Sequence, residues 1–317
     1  MNFFDLHCDT AYECRCVLGS DIKNGAHHLS LGRGEYLGGW HQIFAIFMPD
    51  DENGAPVRGS GAVAHYESVR DFIYSQERLF PDRFVLCRDR ESFLSSEKPG
   101  VCGAIMSVEG GSAAAGSLER IRSMYSDGVR LMTLTWNAEN ELASGVKAPR
   151  IGGLKDFGRQ AVELMNELKM AVDVSHLSDE GFWDVAEVSK IPFVASHSCS
   201  RALCPHPRNL TDEMFREIVK QGGIVGINFA RCFLEKDSNA DITDILRHTE
   251  HFLSLGGEKA VCMGSDFDGT DMPDGVTGVE SMGKLYELFL RHNYNEDLVR
   301  DIFWNNAHRY FDSYIFN

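Results

Sequence analysis

Apolar residues along this chain fall in short, nearly unbroken runs separated by stretches of helical spacing. Eight runs stand out, at 3–9, 40–48, 101–109, 129–136, 170–176, 191–197, 222–229 and 260–266. A strand that is apolar at nearly every position is buried on both faces, as parallel strands are, whereas a half-exposed strand alternates. Between the runs, Leu154, Phe157, Ala161, Leu164, Met165 and Leu168 recur at helical spacing, as do Phe215, Ile218 and Val219. The latter helix carries Thr211 as N-cap, Asp212 and Glu213 in its first turn, and Gly222-Gly223 beyond its end. Eight strands alternating with helices predict a (β/α)8 TIM barrel, with an open doubly wound sheet as the alternative.

Polar residues interrupt this pattern at one kind of place. His7 and Asp9 close the first run, Glu109 the third, His176 the fifth, His197 the sixth and Asp266 the eighth. These are the C-terminal ends of strands, where barrel enzymes place their catalytic groups. His7 and Asp9 stand two residues apart, so both point to one face of a strand. Taken singly, a strand-end His is usually a hydrogen-bonded structural residue and a strand-end Asp a helix cap. In a barrel all six meet at one mouth. Three imidazoles and three carboxylates form a nitrogen and oxygen ligand set that suits zinc, manganese or iron. Six ligands exceed one tetrahedral zinc, so two metals sharing a carboxylate are expected.

Composition narrows the partners. The 317 residues carry 31 Lys+Arg against 47 Asp+Glu, a net charge of −16, which argues against nucleic acid and against an anionic membrane surface. No run reaches 18 apolar residues, so no membrane span is expected. Nine cysteines without a C-x-x-C pair read as reduced, mostly buried thiols. The N-terminus lacks the basic and apolar stretches of a secretion signal, and the chain is short after Phe316. A cytoplasmic protein without a membrane anchor is the expectation. Residues 19–39 and 50–61 read as long loops after the first two strands. No linker divides the chain, so residues 1–317 are expected to form a single domain.

Other features carry less chemistry. His27-His28, His248, His251, His292 and His308 read as surface residues. Ser196-His197-Ser198 lacks the G-x-S-x-G elbow of a nucleophilic serine, and no phosphate-binding glycine fingerprint is present. Cys204-Pro205-His206-Pro207-Arg208-Asn209 is a loop stiffened by two prolines, able to hold Arg208 where its fork takes a carboxylate.

At these positions the chain resembles the renal (membrane) dipeptidase family of dinuclear zinc peptidases. The matching strings are Asp5-Leu6-His7-Cys8-Asp9-Thr10, Ser107-Val108-Glu109-Gly110-Gly111, Asp173-Val174-Ser175-His176, Ser196-His197-Ser198, Pro205-His206-Pro207-Arg208-Asn209 and Gly264-Ser265-Asp266-Phe267-Asp268-Gly269. They span almost the whole chain in family order. The resemblance implies a TIM barrel of the metallo-dependent hydrolase type holding two Zn2+ ions. It implies His7, Asp9 and Asp266 on one zinc, His176 and His197 on the other, and Glu109 bridging. It also implies that Arg208 grips the C-terminal carboxylate of a dipeptide, and members of the family often form homodimers. Two departures concern the substrate side. Where animal members carry a His after Leu-Thr of the fourth strand, this chain reads Trp136-Asn137-Ala138-Glu139-Asn140, leaving Asn137 or Asn140 to bind the scissile carbonyl. Phe233 stands where a tyrosine is expected.

The activity so expected is hydrolysis of dipeptides, including ones with a C-terminal D-residue, by a hydroxide bridging the two metals. Asp266 would act as general base and acid, and Asp173 would support an imidazole from behind. The alternatives are another barrel metallohydrolase acting on a cyclic amide or lactone, against which the opening His-x-Asp counts, and a catalytically impaired metal-binding homologue.

Overall fold

All eight expected strands are present in the computed structural model, which describes residues 1–23, 25, 27–52 and 55–317. They are β1 (Phe3–Cys8), β2 (Trp40–Phe47), β3 (Cys102–Glu109), β4 (Val129–Thr133), β5 (Ala171–Asp173), β6 (Val194–Ala195), β7 (Ile224–Ile227) and β8 (Val261–Met263). Each pairs in parallel with the next, and β8 returns to β1 through Asp5 opposite Met263. The sheet is closed, so the fold is a (β/α)8 barrel and the open sheet is excluded. The two helices read from spacing are found at Asp156–Leu168 and Asp212–Lys220, the second capped by the Thr211 side chain accepting from Met214 N–H.

Strands β5, β6 and β8 are shorter than their apolar runs. Their ends leave the backbone ladder and bond instead to buried side chains, as described below. One strand escaped the sequence pattern. Phe84–Leu86 pairs with the first residues of β3, on the edge that β4 occupies further along. Three residues are too few to show a period. The loops at 19–39 and 50–61 carry a small hairpin, Asp51–Glu52 with Ala55–Pro56, and the helix Gly59–Leu79 begins inside the second. Residues 24, 26, 53 and 54 of these loops lie outside the described residues.

The barrel interior is divided lengthwise. Every strand sends at least one apolar side chain inward, among them Phe4, Leu6, Ile43, Ile105, Leu131, Ala171, Val194, Ile224 and Cys262. Trp304, Tyr310, Phe311, Ile315 and Phe316 of the C-terminal segment join this cluster and plug the end where the strands begin. A larger apolar layer lies outside the strands, against the helices. The end where the strands finish is left open for a polar site.

Two histidines read as surface residues are buried. His27 is 2% exposed, with Nε2 3.0 Å from Ser20 Oγ and 3.3 Å from Cys14 Sγ. His248 is fully enclosed: its Nδ1 accepts from Ser200 N–H and its Nε2 donates to Leu234 C=O. Neither burial shows in the sequence, because a single imidazole breaks no apolar period. All nine cysteines are free thiols, seven of them buried.

The plug contains its own titrating group. His41 lies between Phe93 and Trp304, with ring centroids 4.3 and 4.9 Å away, and its Nε2 faces Phe93 C=O and Ser96 Oγ. Burial, and then the nearby His308, pushes it down to about 3 from an ordinary 6.5. A proton therefore binds the unfolded chain in preference, so the stabilisation is complete above pH 6.5 and is lost as pH falls toward 3. The expected outcome is that metal-free protein loses about 2 kcal/mol between pH 7 and pH 5 through this residue alone. Urea unfolding of wild type and His41→Gln at both pH values measures it, the variant showing the smaller pH dependence.

Candidate metal centre

The polar mouth is assembled by two buried aspartates that are not themselves at its surface. Asp5 and Asp173 are fully enclosed. Asp5 accepts from Ser265 N–H (2.7 Å), Ser265 Oγ (2.5 Å) and Gln42 Nε2 (2.8 Å), tying β1 to the segment that carries Asp266. Its carboxyl is raised by burial, against which these hydrogen bonds act. Asp173 takes Ser175 N–H (3.0 Å) and Ser196 N–H (2.9 Å) on one oxygen, and Thr133 Oγ1 and Ser196 Oγ (both 2.6 Å) on the other. It thereby fixes the segments that carry His176 and His197. In β1 the pairing register shifts between Asp5 and Cys8, which turns His7 inward beside Leu6.

These supports bring the six expected residues together, each at most 9% exposed. His7 Nε2 stands 3.4 Å from Asp9 Oδ2, 3.6 Å from Glu109 Oε2 and 3.8 Å from Asp266 Oδ1. The other oxygen of Glu109, Oε1, stands 2.9 Å from His176 Nε2 and 3.5 Å from His197 Nε2. Glu109 thus faces two donor groups with its two oxygens. His7, Glu109 and His197, and again His7, Asp9 and Asp266, present donor atoms within 4.8 Å of one another.

The donors behave as groups awaiting a cation. Both ring nitrogens of His7 and Oδ1 of Asp9 are buried without a hydrogen-bond partner. His176 Nε2 and His197 Nε2 point at each other across 3.0 Å. Burial would lower the His7 imidazole, but Glu109, Asp9 and Asp266 outweigh it and push it up to about 10. Burial lowers His176 and His197, and the positive charges of Arg208 and His7 lower them further. Burial and the Asp9 charge raise Glu109 well above the carboxylate range, while burial opposed by His7 raises Asp266 to about 6. Such frustration is relieved by divalent cations, and the all-nitrogen-and-oxygen set fits them.

His176, Asp266 and Asp268 have φ of 66°, 61° and 67°. A non-glycine residue there costs roughly 1–3 kcal/mol unless its surroundings determine it fully. The kinks aim the ligands across the mouth, which a straight strand would not.

A cavity of about 310 Å3 opens above these residues, lined among others by Tyr12, Phe47, Trp136, Lys147, Cys232 and Phe233. A larger one, about 700 Å3, lies beside Met1, Tyr286 and Trp304, far from every one of the six. Arg208 borders the smaller cavity. It is 4% exposed, stacks over Phe233 at 5.3 Å, and donates from Nη2 to His197 C=O, while its Nε is buried without a partner. The Asn209 amide holds the loop by donating to Cys204 C=O and Phe233 C=O.

Of the residues considered for the substrate carbonyl, Asn137 borders the cavity, with Oδ1 3.3 Å from His176 Nδ1. Asn140 does not: its amide donates to Leu134 C=O and accepts from Leu142 and Ala143 N–H, holding its own loop. Asp173 touches no imidazole directly and reaches His197 only through Ser196. Two neighbours were missed in the sequence. Asn228 donates to Asp266 Oδ2 at 3.0 Å, and it follows β7 as His197 follows β6, so the strand-end rule would have found it. Gly269 abuts the carboxylates of Asp9 and Asp266, a closeness that only the fold reveals.

Comparison with known proteins identifies the family. The family model for membrane dipeptidase, peptidase family M19, matches residues 1–314. The crystal structure of dipeptidase AC, a metallopeptidase of family M19, superposes with a TM-score of 0.92 at 31% identity, covering 100% of this chain and 99% of that one. A metallopeptidase from Rhodobacter sphaeroides, liganded with a phosphinate mimic of the dipeptide L-Ala-D-Ala, superposes with a TM-score of 0.91 at 30% identity and 99% coverage of both. An uncharacterised protein in the pqqA 5′ region of Klebsiella pneumoniae is 35% identical over 234 residues, 71% of this chain and 86% of its own. No helix among the described residues is long and apolar enough to cross a membrane. The chain belongs to the membrane dipeptidase family, peptidase family M19, and is a peptide hydrolase of the metallopeptidase class.

Proposed function

We propose that this enzyme is a dizinc dipeptidase. His7, Asp9 and Asp266 would hold one ion, His176 and His197 the other, and Glu109 both. The observation that carries this reading is the placement of Glu109, whose two oxygens face two separate imidazole groups. When bound, zinc ions supply a Lewis acid for the scissile carbonyl and lower the pKa of a coordinated water to about 7.

The chain's own groups position the substrate and move its proton. Arg208 is buried beside the cavity with its Nε unpaired, and a guanidinium in that state favours a carboxylate strongly. It would bind the C-terminal carboxylate and so select substrates that end one residue past the scissile bond. Asn137 commits its oxygen to His176, leaving its Nδ2 as a donor for the scissile carbonyl. Asp266, oriented by Asn228 at 3.0 Å, would take a proton from the attacking water and return it to the leaving amine. The cavity admits a D-residue at the C-terminus in this reading, as the dipeptide mimic bound by the Rhodobacter relative suggests.

Arg208→Ala should raise KM for a dipeptide by roughly 10- to 100-fold, the worth of a charged hydrogen-bond pair, with kcat changed far less. Amine release from L-Ala-D-Ala, L-Ala-L-Ala and the C-terminally amidated dipeptide measures it; an unchanged KM, or equal turnover of the amide, removes Arg208 from carboxylate binding. Gly269 offers a test of the metal site alone. A Cβ there would meet Asp9 Oδ2 at 2.1 Å and Asp266 Oδ1 at 2.5 Å, although the backbone itself tolerates alanine. Gly269→Ala should therefore keep the far-ultraviolet dichroism of the barrel while binding zinc about 10-fold more weakly or worse. Metal content after dialysis reads the outcome, and wild-type content in the variant would remove Asp9 and Asp266 from the ligand set.

A further inference from the structure

We infer that Ser196 is a positioning residue for metal binding, relaying a hydrogen-bond chain from the buried Asp173 carboxylate to His197. The inference rests on the metal reading above and adds a residue to it. Ser196 Oγ lies 2.6 Å from Asp173 Oδ2 and 2.7 Å from His197 Nδ1, and all three residues are fully enclosed.

The direction of the chain follows from counting hydrogens. Asp173 faces four donors, two backbone N–H groups on Oδ1 and two hydroxyls on Oδ2, which an ionised carboxylate accepts and a protonated one would not. The single hydroxyl hydrogen of Ser196 is thereby committed to Asp173. Its oxygen then has only lone pairs to offer His197, so Nδ1 must carry the ring hydrogen and donate it. The Ser175 hydroxyl, 3.3 Å away, fills the remaining lone pair. Nε2 of His197 is left bare, and Nε2 is the atom that faces Glu109 Oε1 and His176. A ligand imidazole whose far nitrogen is held by a polar partner is oriented and made more basic.

The relay has little freedom to shift. A Cβ on Gly226 or Gly264 would lie 2.0 or 1.9 Å from Ser196 C=O, so the backbone of β7 and of the segment after β8 packs closely on that peptide. The other staple provides an internal contrast. Ser265 is equally buried and bonds to Asp5 in the same way, by N–H and Oγ, yet no imidazole nitrogen is bonded to its hydroxyl.

The test separates positioning from simple support. In metal-free wild type, long-range proton–nitrogen-15 correlation of ring-labelled histidine should show His197 as the Nδ1–H form, and Ser196→Ala should convert it to a mixture or to the Nε2–H form. Zinc titration against a competing chelator should show Ser196→Ala and the isosteric Ser196→Cys binding about 10- to 100-fold more weakly. Ser265→Ala should leave the His197 signals unchanged. If Ser196→Ala does not fold, the cysteine variant and the wild-type spectrum still decide. An Nε2–H His197 in wild type, or zinc affinity in the folded variants equal to wild type, overturns the relay. Failure of wild type to bind zinc overturns the metal reading instead, while the spectrum of the metal-free protein still judges the hydrogen-bond chain.

Discussion

Burying charge is the constraint on which the rest of this structure depends. Three carboxylates and three imidazoles meet where each is at most 9% exposed, and an unpaired charge there is far more costly than at the surface. Part of the cost is relieved within the protein, by the closeness of the His7 imidazole to Glu109, Asp9 and Asp266. The rest is left as unpaired donor atoms, which is the condition for binding a cation tightly. Such a site holds only if the backbone beneath it cannot relax. Asp5 and Asp173 meet that need, each spending a carboxylate on the segments that carry the ligands. The barrel is therefore polar in two layers, an upper one that carries the proposed metal ligands and a lower one that holds the upper in place.

The same logic explains why the strands end early. A ladder continued to His176, His197 and Asp266 would alternate side chains in and out, and neighbouring ligands would not converge. Leaving the ladder frees backbone N–H groups that must find acceptors, and the two aspartates accept them. At the opposite end the apolar plug of Trp304, Tyr310, Phe311 and Phe316 excludes water from below. Stability and chemistry are thus assigned to opposite ends of one sheet.

What could be read in the sequence follows from which signals are local. The eight strands were legible because parallel burial makes each an apolar run, and the six mouth residues because each closes such a run. Thr211 as a cap was legible because its partner lies three residues away. Three kinds of feature were hidden. Phe84–Leu86 is too short to show a period, His248 is buried by segments distant in sequence, and Gly269 matters only through its closeness to Asp9 and Asp266. Asn140 stands three residues from Asn137, yet it turns its amide into its own loop, which no local signal in the sequence shows.

The departures at Trp136 and Phe233 gain meaning from this geometry. Trp136 packs edge-on against Phe47 at 4.9 Å, and Phe233 lies beneath Arg208 and against His206. Neither replacement introduces a charge, and neither touches a nitrogen or oxygen of the six. An aromatic ring under a guanidinium holds it by its face while leaving the fork's edge free, and a phenylalanine does so without a hydroxyl that would compete for the incoming carboxylate. The wall of the cavity can therefore vary, and with it the side chains that are admitted, while the charge balance that binds the cations stays untouched.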